Sequence, residues 1–99
     1  MIFEIFKVRG ASLAPEYRDG DFVVASALPI FFRPPRVGQV VVFQHAVYGR
    51  LIKRVERIEA RGQIVVAGSG AGSIDSRTFG PIERQAVRGV VLWHIKKHE

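Results

Sequence analysis

Residues 39–58 read QVVVFQHAVYGRLIKRVERI, and this stretch decides the fold class. Its run Val40-Val41-Val42-Phe43 is too apolar for a strand with one face in water, so it predicts a strand buried on both faces. Tyr48-Gly49 interrupts the pattern, and residues 51–58 then alternate with a period of two, which predicts another strand. On that strand Lys53 shares a face with Leu51 and Val55.

Working outward, the same signals predict further strands at residues 3–8, 22–25, 63–67 and 87–95. Residues 28–36 hold three prolines, which argue against both a central strand and a helix. Residues 82–86 are the one stretch expected to form a helical turn, and residues 68–72 are a glycine-rich loop. The predicted class is all-β: a single small domain over residues 1–99, built as a twisted, partly closed β-sheet or barrel.

Composition narrows the function classes. The chain has 99 residues, enough for one core, and a hydrophobic fraction of 47%, which excludes a disordered chain. It has no cysteine, which excludes a disulfide scaffold, a thiolate metal site and a cysteine nucleophile. The longest apolar stretches are far shorter than the roughly 20 residues of a membrane span, and residues 1–6 do not resemble a signal peptide. A cytoplasmic or peripheral membrane location is therefore expected.

Two segments carry candidate chemistry. Ser12 follows the turn at Gly10 and precedes Pro15, so constrained backbone presents its hydroxyl; the alternative is an ordinary turn that ends a strand. Lys53 faces apolar neighbours, and desolvation lowers the pKa of a buried amine until it becomes a usable general base. The alternative for Lys53 is a side chain that extends to the surface.

A third segment, residues 73–81, reads SIDSRTFGP. Its Ser and Asp side chains can bond nearby backbone amides in a polar turn, and Asp75 with Arg77 would form an internal ion pair.

Together the three segments resemble the serine–lysine peptidases of the type I signal peptidase group, whose relatives include the LexA-like self-cleaving repressors. Gly10-Ala11-Ser12-Leu13-Ala14-Pro15 resembles that group's Gly-x-Ser-Met-x-Pro motif, with Leu13 in place of Met, and Gly20-Asp21 follows it as in the group. Ile52-Lys53-Arg54-Val55 resembles the strand that carries the base, and residues 73–81 match Ser-x-Asp-Ser-Arg-x-Phe-Gly-Pro. The chain departs from the pattern at Gly68-Ser69-Gly70, where the group has Gly-Asp-Asn.

The resemblance implies a short, unanchored serine endopeptidase with the signal peptidase type of fold, with no metal and no cofactor. Ser12 would be the nucleophile and Lys53 the base, with oxyanion donors from the Ser12 N–H and the Gly10 turn. Ser73 would orient the Lys53 amine, and Asp75 with Arg77 would brace that loop. The substrate would be a leader or signal-like polypeptide, bound as an extended strand at a sheet edge and cut after a small residue.

Three other functions stay open: a LexA-like module that processes its own or a partner's chain, an inactive relative that binds peptides, and, more distantly, a basic β-barrel that binds nucleic acid. Phe22, Phe43 and Trp93 lie in apolar runs and are predicted to be core, which argues against the nucleic-acid binder, so no nucleic-acid partner is expected.

Four large apolar side chains stand close together in the proline-rich segment, namely Leu28, Ile30, Phe31 and Phe32. They are expected either to form an exposed patch that contacts a hydrophobic leader peptide or an anionic membrane, or to fold back and cap the sheet.

Overall fold

The computed structural model describes residues 3–9, 16–68 and 74–96. Six strands form one antiparallel sheet in the order β1-β2-β6-β3-β4-β5. The elements are β1 (Phe3–Lys7), β2 (Phe22–Ser26), α1 (Leu28–Phe32), β3 (Val40–His45), β4 (Gly49–Ile58), β5 (Ile64–Ala67), α2 (Ser76–Phe79), a 3₁₀ turn (Arg84–Ala86) and β6 (Val87–Ile95). The all-β prediction is confirmed.

Strand β3 lies between β6 and β4, and its residues Val40, Val41, Val42 and Phe43 are all buried. This confirms the predicted burial on both faces. Each face of the sheet has its own core, because side chains of adjacent strand residues point in opposite directions. Val41, Phe43 and Val55 belong to the larger cluster, and Val40 belongs to the smaller one.

The sheet curls toward itself. Three strands separate β1 from β4 in the sheet order, yet the Arg50 guanidinium of β4 lies 4.7 Å from the centre of the Phe6 ring of β1. Val23 of β2 belongs to the smaller core together with Val40, and Phe6 of β1 packs against it, so β1 and β2 pack across the middle of the sheet.

The prediction that residues 28–36 contain no helix is wrong, because α1 occupies Leu28–Phe32. Pro29 stands in the first turn of α1, where its missing N–H would have no partner within the helix in any case. The sequence analysis also missed α2, which is a single turn capped by Asp75. Neither helix, nor any other helix in the described part of the chain, is long and apolar enough to cross a membrane.

The prediction that Phe22 and Trp93 are core residues is also wrong, since these side chains are 41% and 58% exposed, whereas Phe43 is buried as predicted. The strands β1, β2 and β6 form one end of the sheet, and one face of this end is open to solvent. Trp93 packs there against Phe3, with ring centroids 5.9 Å apart.

Candidate active site

Lys53 lies in the interior, with only 2% of its surface exposed. It stands on β4 directly opposite Val41 of β3, and the alternation of the strand puts Leu51 and Val55 on its face, as predicted. Burial lowers the pKa of the Lys53 amine, and the nearby negative charge of Asp75 acts in the opposite direction and raises it. The net shift is downward, so the amine loses its proton at a lower pH than an exposed lysine.

Asp75 is the carboxylate whose charge acts on the pKa of Lys53, and its side chain is buried, with 1% exposed. Its Oδ1 accepts hydrogen bonds from the Arg77 N–H at 2.9 Å and from Arg77 Nε at 3.1 Å. Its Oδ2 accepts from Arg77 Nη2 at 3.0 Å and from the Gly68 N–H at 3.2 Å. The Arg77 guanidinium leads in lowering the pKa of Asp75 to about 2, so the carboxylate is ionised at neutral pH. The ion pair predicted between Asp75 and Arg77 forms.

Ser76 fastens α2 to the sheet, a role that the sequence analysis did not assign. Its Oγ accepts a hydrogen bond from the Val66 N–H of β5 at 2.9 Å. Gly68, just after β5, donates to Asp75 as described above, and Ile64 exchanges two backbone bonds with Ile82. The outer edge of β5 is therefore occupied at residues 64, 66 and 68, and α2 holds Asp75 beside the sheet. The signal in the sequence was a serine next to the capping Asp75.

Ser12, Gly10 and Ser73 lie outside the described residues. The residues on either side of residues 10–15 are described, and those on both sides form bonds to other parts of the chain. Val8 accepts from the Gly20 N–H at 2.8 Å and donates to the Asp21 carbonyl at 2.7 Å. Glu16 pairs with Arg54, which follows Lys53 on β4. The two flanks of the segment that carries Ser12 are thus attached to the turn before β2 and to the strand that carries Lys53.

A pair between the buried Asp21 carboxylate and the half-buried His94 imidazole was also missed. Asp21 Oδ2 lies 2.6 Å from His94 Nε2 of β6 and accepts from the Arg18 N–H at 3.0 Å. Tyr17 stacks on the His94 ring, with centroids 4.3 Å apart. The alternation of β6 puts His94 on the face opposite to exposed Trp93, which was the available signal. His45 ends β3, and its Nδ1 accepts from the Val47 N–H in the following turn at 3.0 Å.

The site contains the buried amine of Lys53. Within the described ranges, the Lys53 amine has no hydrogen bond or ion pair, and the Asp75 carboxylate is bonded by Arg77 and the Gly68 N–H. Those ranges also contain no group of three or more His, Asp and Glu side chains able to hold a metal ion. An amine with a lowered pKa can accept a proton from a hydroxyl placed beside it.

Comparison with known proteins finds a family match. The family model described as "Signal peptidase, peptidase S26" matches residues 1–58, more than half of the chain. The matched span includes Gly10, Ser12 and Lys53 and ends before Ser73 and Asp75. No curated protein and no solved structure matches the chain.

Proposed function

Because the chain belongs to the signal peptidase family, peptidase S26, we propose that it is a serine endopeptidase in which Ser12 is the nucleophile and Lys53 the general base. The observation that carries the proposal is the burial of Lys53, which is 2% exposed and has a lowered pKa. A lysine that served only for solubility would keep its amine in water.

In the proposed reaction, neutral Lys53 takes the proton of Ser12 Oγ as that oxygen attacks a peptide carbonyl. The resulting oxyanion is held by the Ser12 N–H and a donor from the Gly10 turn. The C–N bond then breaks, and Lys53 passes its proton to the leaving amine. Water, deprotonated by Lys53, releases the acyl group from Ser12, which regains its proton.

Asp75 sets the electrostatics of this base. An ionised carboxylate near Lys53 favours the charged ammonium and opposes its role as a base. The Arg77 guanidinium neutralises much of that charge through its bonds to both Asp75 oxygens. We propose that Asp75 and Arg77 hold the loop that carries Ser73, and that the Ser73 hydroxyl orients the amine.

We propose that an extended substrate lies at a sheet edge close to Lys53. β5 pairs with β4 only from Arg54 onward, so the half of β4 from Gly49 to Lys53 lies beyond β5. The outer edge of β5 itself is occupied by Ile82, Ser76 and Asp75. A polypeptide that lies as a strand close to β4 brings its carbonyl to the base and is cut after a small residue.

A lipid surface is the second partner that we propose. Phe31 and Phe32 of α1 are 80% and 81% exposed, and an apolar hollow of about 580 Å³ runs from Phe32 to Phe3 beside Arg33. Exposed aromatic side chains next to an arginine suit the interface of an anionic membrane. Ile30 does not join this surface, because it packs against the larger core.

The test replaces each reacting group and measures cleavage of synthetic peptides that contain a single Ala site. Ser12→Ala and Lys53→Met are each expected to abolish cleavage and labelling by a serine-directed phosphonate, with the far-UV circular dichroism unchanged. Lys96→Met, which removes an exposed lysine, is the matched control and keeps full activity.

Substantial turnover in Ser12→Ala or Lys53→Met would refute the dyad. Peptide binding without any cleavage by the wild type would favour an inactive, peptide-binding relative. Cleavage confined to the protein's own chain would favour the LexA-like module.

A further inference from the structure

Two side chains bond to the outer edge of β5 where a further strand would offer carbonyls. The Val66 N–H, which points away from β4, donates to Ser76 Oγ at 2.9 Å. The Gly68 N–H, just after the strand, donates to Asp75 Oδ2 at 3.2 Å. Ser76 and Asp75 are consecutive residues, so together they fasten the start of α2 to this edge of the sheet.

These bonds bring the Asp75 carboxylate level with Lys53. Ala67 pairs with Arg54 in the antiparallel register of β4 and β5, so the next residue, Gly68, comes level with Lys53. Neighbouring strands lie about 4.8 Å apart. A carboxylate held by the Gly68 N–H is therefore close enough to Lys53 for its charge to act on the amine.

The sheet around Lys53 is otherwise apolar. The side chains on its face from β3, β4 and β5 include Val41, Val55 and Val66. Burial lowers the pKa of the Lys53 amine, and among the described residues the opposing effect comes from Asp75. Arg77 binds both oxygens of Asp75, and Glu56 acts in turn on Arg77. The distance from Asp75 to Lys53 therefore controls how firmly the amine holds its proton.

We infer that Ser76 is a positioning residue for the base: its hydroxyl holds α2 against β5 and so fixes the distance from the Asp75 carboxylate to the Lys53 amine. The inference rests on the proposed function. Val66 is 1% exposed, so loss of the Ser76 hydroxyl leaves its N–H without an acceptor in the interior. Asp75 then keeps only the longer bond to Gly68 as its side-chain attachment to β5 in the described part of the chain.

The experiment measures the titration of Lys53 directly, by NMR of ¹³Cε-labelled lysine. The chain has four lysines, and Lys53→Met assigns the Lys53 signal. Ser76→Ala is expected to lower the pKa of Lys53, because the carboxylate that favours the ammonium is held less closely. The shift should be smaller than that in Asp75→Asn. Ser76→Thr keeps the hydroxyl and is expected to titrate as the wild type does.

A double variant separates positioning from a purely structural role. A structural role lowers the melting temperature of Ser76→Ala without moving the titration of Lys53. In the Asp75→Asn background, Ser76→Ala is expected to bring no further shift, since the charge that it positions is gone. Thr78→Ala is the matched control, because Thr78 is an exposed hydroxyl residue of the same helical turn. An unchanged or raised pKa in Ser76→Ala, or shifts that add in the double variant, would overturn the inference.

Hydrogen exchange tests the contact itself. The Val66 amide is expected to exchange on the order of tenfold faster in Ser76→Ala, the equivalent of one lost hydrogen bond. Ser76→Cys keeps a similar volume with a weaker acceptor, so its exchange rate should lie between the two. It also takes the place of Ser76→Ala in the titration if that variant does not fold. Equal exchange in all three proteins would remove the proposed attachment.

Failure of the proposed function gives a different result. If peptides are cleaved, the rise of kcat/KM with pH should begin at lower pH in Ser76→Ala than in the wild type. If the wild type cleaves no peptide, the proposed function fails, yet an NMR shift that disappears in the Asp75→Asn background still supports the role of Ser76. Cleavage with an unmoved titration leaves the proposed function standing and refutes the inference.

Discussion

The Lys53 amine is a costly group to bury. A cation removed from water loses hydration, and the Asp75 charge returns only part of that loss, since the net effect on the pKa of Lys53 is downward. Natural cores place Met or Leu where a long side chain must be buried without cost. The presence of lysine at this position therefore indicates a role other than stability.

We expect Lys53→Met to raise the free energy of unfolding at neutral pH by about 1–2 kcal/mol, because a buried charge is replaced by an apolar chain of similar length. The pKa of Lys53 is lowered in the folded state from 10.5. Between that lowered value and 10.5, the unfolded chain binds more protons, so wild-type stability rises with pH through this window. Urea unfolding at several pH values should show that rise in the wild type and not in Lys53→Met; parallel pH profiles would contradict the burial argument.

Asp75 provides a test of the coupling between carboxylate and amine. Asp75→Asn removes the negative charge that raises the pKa of Lys53, so the rise of kcat/KM with pH is expected to begin at lower pH. An unchanged profile would show that the Asp75 charge does not reach the base.

The same substitution is expected to cost about 2 kcal/mol of stability at neutral pH, since the pKa of Asp75 falls from 3.8 to about 2 on folding. That contribution is present above pH 3.8 and is lost as the pH falls through about 2. The acid limb of a stability–pH profile should therefore be shallower in Asp75→Asn than in the wild type.

At the scale of elements, α1 divides its residues between core and surface. Ile30 packs against the larger core, and Arg84 Nη2 donates to the Ile30 carbonyl at 2.6 Å. Phe31 and Phe32, the next two residues, are about four-fifths exposed. The single turn of α1 thus anchors itself through Ile30 and leaves Phe31 and Phe32 exposed to solvent.

The double variant Phe31→Ser, Phe32→Ser is expected to change stability by less than about 0.5 kcal/mol, because both side chains are already exposed. It should weaken co-sedimentation with phosphatidylcholine vesicles that contain about one third phosphatidylglycerol. Ile30→Ser is the contrasting variant, with a stability loss of about 2–3 kcal/mol. Unchanged vesicle binding by the double variant would remove the proposed lipid contact.

At the scale of the whole molecule, β6 joins the two halves of the sheet. It pairs with β2 on one side and with β3 on the other. Near its end, the His94–Asp21 pair ties β6 to the turn before β2, and Asp21 also bonds to Val8 through its carbonyl. This pair therefore links β6 to the turn before β2. Through the Asp21 carbonyl it also links β6 to Val8, on one flank of the segment that carries Ser12.

His94→Ala is expected to lower the free energy of unfolding by about 1–3 kcal/mol, because the buried Asp21 carboxylate loses a hydrogen-bonding partner. His94→Gln keeps a side-chain N–H donor and should recover part of the loss. Thermal unfolding of the three proteins provides the comparison. Equal melting temperatures for His94→Ala and the wild type would show that the pair does not hold the sheet together.

The alternation of residues and the apolar run at 40–43 were sufficient to predict strands, the burial of β3 and the face of Lys53, because a side chain's direction on a strand depends only on its local sequence position. The ion pair between Asp75 and Arg77 was also predictable from local sequence, because the two residues are only two positions apart. The tertiary structure alone decided that Phe22 and Trp93 are exposed, because exposure depends on which strands lie side by side and which face they leave uncovered. It also decided the Asp21–His94 pair and the contact between Arg50 and Phe6, whose residues are far apart in the chain and meet only when the sheet curls.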